Sequence, residues 1–458
     1  MSISELLANT QMIMPLAVLM LWACVLLLVD LFIPQSRKGI TALLAAAGLV
    51  VALALVIMQI GQEGVAFSRM VILDGFALFL QVVFLASGLA GIALAYDYNK
   101  RMGIERGEYY ILMLLSIGGM MMMAMAANLI MVFLALEWLS IPLYVLSGFA
   151  RDKAESEESA LKYFLLGSYS GGFVLYGIAL IFGATGSTEL SSIATAFYSA
   201  NTNLALLAIG AALVLVGVGF KVSLVPFHMW TPDVYHGAPS AVTGFMSVAV
   251  KAAGFAGLLR IFIVAFQTVE AEIAPLLWAL AAVTMILGNL VAIAQGNIKR
   301  MLAYSSIAHA GYILMALVSY AQPEVTADAV AAALVYLVAY AFTSFGAWAV
   351  VVALEKAEGQ GLQLQDYAGL GRKYPALAAA MAIFMLSFTG VPPTLGFIGK
   401  FYLFATAIQG GQVALAIIGV LTSLISAYFY LRLIVIMYMQ EGEPQVRGER
   451  WLNLTVYV

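Results

Sequence analysis

The sequence predicts an all-α polytopic membrane protein, and three observations carry that prediction. Hydrophobic residues make up 64% of the 458 residues and charged residues only 10%, against roughly 25% charged in a soluble domain. Apolar runs of about 20 residues, the length that crosses a bilayer, recur about thirteen times along the chain. Two of those runs hold prolines deep inside them, so two of the helices must be discontinuous.

The spans are expected at 12–33, 40–60, 72–96, 108–126, 128–149, 157–183, 203–235, 240–266, 275–296, 302–320, 327–354, 376–408 and 412–439. The first is too long for the apolar core of a cleavable signal, and Glu5 stands in residues 1–11 where such a signal carries Lys or Arg. A fourteenth helix is expected to begin at Trp451 and to be incomplete at Val458. No connecting segment is long enough for a soluble domain. The chain therefore reads as a single integral membrane domain over 1–458.

Basic residues set the orientation. Arg37, Lys38, Lys100, Arg101, Arg106, Arg151, Lys153, Lys299, Arg300, Lys356, Arg372, Lys373, Arg447 and Arg450 all follow odd-numbered spans. Arg69 alone follows an even one. The odd-numbered connections form a basic face, which the positive-inside rule puts in the cytoplasm, with the N-terminus outside. A bacterial plasma (inner) membrane is the expected location.

The seventh span contains Lys221-Val-Ser-Leu-Val-Pro226-Phe-His228-Met-Trp-Thr-Pro232-Asp233, and the twelfth contains Gly390-Val-Pro392-Pro393-Thr-Leu-Gly396-Phe-Ile-Gly399-Lys400. Pro226, Pro232, Pro392 and Pro393 are the expected helix breaks. The breaks lie five spans apart, which suggests two inverted five-helix repeats: spans 4–8 (108–266) and spans 9–13 (275–439). Helices 1–3 (1–96) precede them, and 440–458 hold a loop and the start of the incomplete last helix. Inverted repeats with paired discontinuous helices mark many transporters. The competing reading is that proline and glycine only kink these helices. Gly217-Val218-Gly219, inside an apolar run, reads as close helix packing rather than a nucleotide loop.

Five charged residues stand inside apolar spans: Glu137, Lys162, Lys221, Lys251 and Lys400. Each costs about 2.5–3.5 kcal/mol at a helix centre on insertion scales. A lysine balanced between desolvation and a nearby carboxylate can take up and release a proton, so a row of them reads as a proton relay. Glu137 is read as one member of that relay, or as half of a structural ion pair. Lys162 has a second reading, because it lies only a turn or two from the loop at 151–158 and can snorkel. Lys221 adjoins a break. Lys251 shares a helix face with Gly244 and Ser247. Lys400 follows Gly396 and Gly399. His228 and His309 have two open readings, as bridges between lysines or as satisfied core histidines. Asp233 is assigned to the loop, Arg260 and Arg432 to structure, and Met120–Met123 to packing.

Other chemistry is excluded by composition. Cys24 is the only cysteine and the three histidines are scattered, so no disulfide, Cys-ligated cluster or convincing metal site can form within the chain. No cofactor motif stands between a strand and a helix. A net charge of -3 offers no basic patch for nucleic acid.

Four segments then resemble a known family. Phe220 to Pro239, Gln295 to Tyr312, Asp366 to Pro375 and Gly390 to Lys400 are similar to signature blocks of the antiporter-like subunits of complex I, the NADH:quinone oxidoreductase. The resemblance runs from about the third span to the thirteenth. It implies fourteen spans, two inverted repeats and a proton channel. By motif position, Glu137 and Lys221 correspond to a carboxylate–lysine pair, Lys251 to a connecting site, Lys400 to an exit-side lysine and Lys162 to a further lysine. Lysine rather than histidine at position 251 separates the chain from two sibling subunits. The implied partners are neighbouring membrane subunits, with NAD or another donor site, FMN, iron–sulfur clusters and quinone on other chains. The alternatives are a subunit of a multi-subunit sodium/proton antiporter, which shares the fold, and a static scaffold. The residues name no electron donor.

Overall fold

A computed structural model describes residues 9–196, 202–266, 270–318, 324–356 and 359–446. The expected fourteenth helix lies outside the described residues. The spans are α1 (Met14–Asp30), α2 (Gly39–Met58), α3 (Gly75–Arg101), α4 (Gly107–Met125), α5 (Leu129–Ser147) and α6 (Ala154–Thr185). After the short α7 (Leu190–Ala196) come α8 (Leu204–Val222), α9 (Trp230–Gly237), α10 (Ser240–Ala265), α11 (Glu270–Ile293), α12 (Ile298–Val318) and α13 (Thr326–Leu354). The short α14 (Leu370–Lys373) leads to α15 (Pro375–Thr389), α16 (Leu395–Gln409) and α17 (Val413–Met439).

Eleven of these helices are long and apolar enough to cross a membrane. Of the three shorter apolar helices, α1 is a span of its own, and α15 with α16 form the two halves of one broken span. The described residues thus make the thirteen crossings expected from hydropathy. Lipid offers no hydrogen bonds, so each span satisfies its own backbone and only the ends need help. Asp74 caps α3 by accepting from the Ala77 N–H, Asn128 caps α5 and Asn203 caps α8. Proline opens α1 and α15, where its missing donor costs nothing.

Both predicted breaks are present. α8 ends at Ser223, whose φ of 67° is a left-handed conformation that costs a non-glycine residue about 1 kcal/mol or more. α15 ends at Gly390 with φ of 88°, where glycine adopts the same turn freely. The Val225–Pro226 and Pro392–Pro393 bonds are cis. One expected break is corrected: Pro232 is the third residue of α9 rather than part of the interruption. Its missing N–H falls in the first turn, where no intrahelical partner exists.

Three other features depart from expectation. The connection before α3 is a small antiparallel hairpin, β1 (Gly64–Ala66) with β2 (Val71–Leu73). It turns through Phe67, Ser68 and Arg69, all left-handed. Arg69, alone on its face, reaches Glu189 at 3.2 Å. Lys299, expected as a loop cation, is 2% exposed inside the first turn of α12. Residues Met246–Val250 of α10 are a π-helical segment that ends at Lys251.

Small residues set two helix contacts with parallel positions in the proposed repeats. Gly119 of α4 lies against the backbone of Leu139 in α5, and Gly288 of α11 lies against the backbone of Ala308 in α12. A side chain at either glycine would force the helices apart. Residues Met120, Met121 and Met123 are buried in the core.

Candidate functional site

Lys221 occupies the last turn of α8 and is 3% exposed. Its ammonium donates to Ser140 Oγ at 2.7 Å and to Tyr163 OH at 2.9 Å, and lies 4.9 Å from the centroid of the Tyr163 ring. That ring is held by stacking on Trp230, the first residue of α9, with centroids 4.5 Å apart. Ser140 lies one turn beyond Glu137 on α5, so the carboxylate and the lysine's hydroxyl partner share a helix face. Glu137 is an electrostatic neighbour of Lys221 but makes no salt bridge with it. The implied pair therefore interacts through space, and Ser140 Oγ, which accepts from the Lys221 ammonium, donates to the Leu136 carbonyl rather than to Glu137. Gly171 of α6 makes room for the carboxylate: a Cβ there would lie 2.5 Å from Glu137 Oε1.

Lys251 follows the π-helical segment, which re-aims the side chain as such insertions do at functional sites. Its Nζ donates to the Ser306 carbonyl at 2.6 Å and lies 5.7 Å from the Tyr340 ring centroid. Tyr340 OH donates to Ser306 Oγ at 2.9 Å. The helix carrying Lys251 is brought against α8 by Gly254, where a Cβ would lie 2.5 Å from the Val222 side chain. Gly244 and Ser247 on the same face pack against Trp348 and Ser344 rather than lining an open path.

His309 on α12 lies in the electrostatic field of both Lys251 and Lys400. Its Nδ1 is 2.5 Å from Tyr336 OH and its Nε2 is 3.2 Å from Tyr430 OH. Of the two readings open in the sequence, His309 is hydrogen-bonded in the core, and it also feels the charge of both lysines without a hydrogen bond to either. Lys400 in α16 donates to the Phe388 and Thr389 carbonyls, each at 2.9 Å, and to Ser423 Oγ. It lies 4.7 Å from the Tyr312 ring centroid. The three ammonium groups thus rest on hydroxyls, carbonyls and aromatic faces, and no carboxylate touches them. Hydroxyls can both donate and accept, so such a setting serves a lysine in either protonation state.

Lys162 stands apart. Its side chain is 40% exposed and bridges Glu158 at 2.6 Å and Asp233 at 2.7 Å. Asp233 also takes Arg300 at 2.9 Å. Asp233 therefore ties α6, α9 and α12 together rather than serving a loop. Exposed pairs of this kind contribute about 0.2–1 kcal/mol each. His228 is buried in the first break but has no hydrogen bond to any of these lysines. Arg260 pairs with Asp74 at 2.5 Å, and Arg432 donates to the Ile293 carbonyl at 3.1 Å. Both serve structure.

Sequence reasoning missed Ser140, Tyr163, Ser306, Tyr340, Tyr312 and Ser423. Four stand beside residues the sequence singles out: Ser140 lies three residues after Glu137, Tyr312 three after His309, Ser306 three before His309, and Tyr163 next to Lys162. Tyr340 and Ser423 come from other spans.

Comparison with known proteins places this geometry. Residues 126–426 match the family model described as NADH:quinone oxidoreductase/Mrp antiporter, TM. The chain is 48% identical over 455 residues to NADH-quinone oxidoreductase subunit N of Trichlorobacter lovleyi, covering 98% of this chain and 91% of that one. It is 47% identical to the subunit N of Chloroflexus aggregans, covering 98% and 92%. Respiratory complex I from Thermus thermophilus contains a chain that superposes with a TM-score of 0.81 at 36% identity, covering 96% of this chain and 94% of that one. The Mrp complex of Dietzia shares the fold, with a TM-score of 0.83 at 24% identity over 97% of this chain and 82% of that one. The chain belongs to the NADH:quinone oxidoreductase/Mrp antiporter family of membrane subunits, and within it to the subunit N group of complex I.

Proposed function

We propose that the chain is a proton-translocating, antiporter-like subunit of a complex I-type NAD(P)H/ferredoxin:quinone oxidoreductase. One observation carries the reading: Lys221, Lys251 and Lys400 are buried among neutral hydrogen-bonding groups, two of them at helix breaks, and His309 lies in the field of the last two. Protons move between these lysines through the intervening hydroxyls and water. Glu137 modulates the charge of Lys221 through space, and Lys162 sits at the periphery of the line. The two sets of five spans act as inverted repeats, each with its own broken helix.

The driving energy comes from other chains. Moving one charge against 100 mV takes about 2.3 kcal/mol. Quinone, FMN, iron–sulfur clusters and the NAD or other donor site belong to partner subunits. Neighbouring antiporter-like and small membrane subunits are its direct partners. The basic face is cytoplasmic, the N-terminus lies outside, and the membrane is the bacterial plasma membrane. A role in a multi-subunit sodium/proton antiporter is the second reading, supported by the shared fold alone.

The test is Lys251→Ala in the assembled complex. Quinone reduction and proton pumping should both fall. Full pumping at normal turnover would remove Lys251 from the path. Iron–sulfur and quinone-site subunits should co-purify with the chain; an antiporter assembly would lack them.

A further inference from the structure

A polar cavity of about 460 Å³ lies at the basic face, between the ends of α3, α9, α12 and α13. Two of its lining residues are buried charged groups the relay does not use: Lys299, 2% exposed, and Glu355, 4% exposed. Lys299 Nζ donates to the Ala238 carbonyl at 2.6 Å and makes no salt bridge with Glu355, although each lies in the other's field. Glu355 Oε1 accepts from Tyr98 OH at 3.2 Å. Its Oε2 is buried and has no hydrogen-bond partner among the described residues. An unsatisfied buried acceptor is costly, and more so when charged. Retaining one beside a polar cavity points to an exchangeable occupant of that oxygen.

Tyr98 ties this carboxylate to the start of the helix that carries Lys251: its OH, besides donating to Glu355, accepts from the Ser240 N–H at 3.0 Å. Ser240 opens α10, and Gly244, Ser247 and Lys251 follow it at four, seven and eleven residues, with the π-helical segment Met246–Val250 before Lys251. Lys251 lies about 16 Å deeper by helical rise. Ser247 Oγ meets Ser344 Oγ at 2.9 Å on the way. Ser240 Oγ is buried without a described partner.

We propose that Glu355 is the proton-loading residue on the basic face, taking a proton from water in the cavity and passing it inward toward Lys251. This rests on the proton-translocation reading above. The step is a proton transfer only: the carboxylate gains a proton on Oε2 and later loses it, with no electron moved. Lys299, whose field reaches Glu355, is the positioning cation beside it. Tyr98 of α3 and Tyr367 also face the carboxylate. Lys153, Asp152, Glu155 and His236 complete the charged and titratable lining of the cavity.

The experiment compares Glu355→Gln, Glu355→Asp and Lys251→Ala in membrane vesicles carrying the assembled complex, with quinone reduction and proton pumping measured together. Glu355→Gln should lower pumping by an order of magnitude or more, in keeping with loss of a positioned proton-transfer group. Glu355→Asp should restore most of it. Normal pumping in Glu355→Gln with impaired pumping in Lys251→Ala overturns the loading role and leaves the translocation reading standing. Normal pumping in both variants overturns both. Equal losses in the Gln and Asp variants, with less complex recovered, assign Glu355 to structure and overturn the proposal.

Discussion

Lys400 Nζ donates a 2.9 Å hydrogen bond to the Phe388 carbonyl oxygen, across the break in the span that carries both residues. The first half of that span ends with carbonyls that have no helical partner. An ammonium from the second half supplies the donor and the positive charge that the helix C-terminus favours. Lys400 is thus both a candidate relay group and the clasp of its own broken helix.

Replacing Lys400 with Met should therefore do two things. Pumping should fall, and the assembled complex should lose about 1–3 kcal/mol of stability from unsatisfied carbonyls. Thermal inactivation of the complex and initial pumping rates check these separately. Lost pumping at unchanged stability would mean that the clasp contributes nothing.

Tyr163→Phe keeps the stacking on Trp230 but removes one of two hydroxyls on Lys221. Loss of one hydrogen bond to a charged group corresponds to about 1.5–3 kcal/mol. Pumping should drop roughly tenfold or more at that magnitude, with the complex intact. An unchanged rate would show that Ser140 alone suffices to hold the ammonium.

Gly171→Val tests the space left for Glu137. Any Cβ at 171 falls 2.5 Å from Glu137 Oε1, so the carboxylate must move. The expected result matches Glu137→Gln: lower pumping with normal assembly. Wild-type pumping in Gly171→Val would show that the position of Glu137 is unimportant.

His309→Phe keeps an aromatic ring but breaks the contacts with Tyr336 and Tyr430. It leaves the buried Tyr336 hydroxyl short of a partner, at about 1–3 kcal/mol, while Tyr430 keeps its hydrogen bond with Ser305. Lower pumping is expected, with partial recovery in His309→Gln, which can again donate and accept. Equal impairment in both variants would point to packing alone.

Asp233→Asn should do far less. Its partners Lys162 and Arg300 are partly exposed, at 40% and 32% of their side chains. Discounted for solvent screening, the pair of bridges amounts to about 1 kcal/mol or less. A small fall in thermal stability with near-normal pumping is the expected readout. A pumping loss as large as that of Lys251→Ala would move Lys162 and Asp233 into the main path.

Much of the candidate site is legible in the sequence alone. Glu137, Lys221, Lys251 and Lys400 stood out because charge inside an apolar run is costly, and that cost is legible residue by residue. The two broken helices were legible because proline acts on its own segment. Pro232 was misplaced because a proline two residues into a helix looks, in sequence, like one that stops it. Lys299 was counted with the loop cations because a lysine at a span end carries no local mark of burial. The hairpin at 64–73 and the π-helical segment before Lys251 left no pattern that hydropathy reports.

The sequence by itself determined the thirteen crossings, the two breaks and the three buried lysines Lys221, Lys251 and Lys400. In lipid each helix must satisfy its own backbone, so span positions follow from local composition. Only the tertiary structure decided what each charge touches. Lys221 meets a serine 81 residues away, and Lys251 a carbonyl 55 residues away. Such partners are chosen by helix packing, through close contacts such as those at Gly119, Gly254 and Gly288. Packing depends on the shapes of two surfaces at once, which no single stretch of sequence contains.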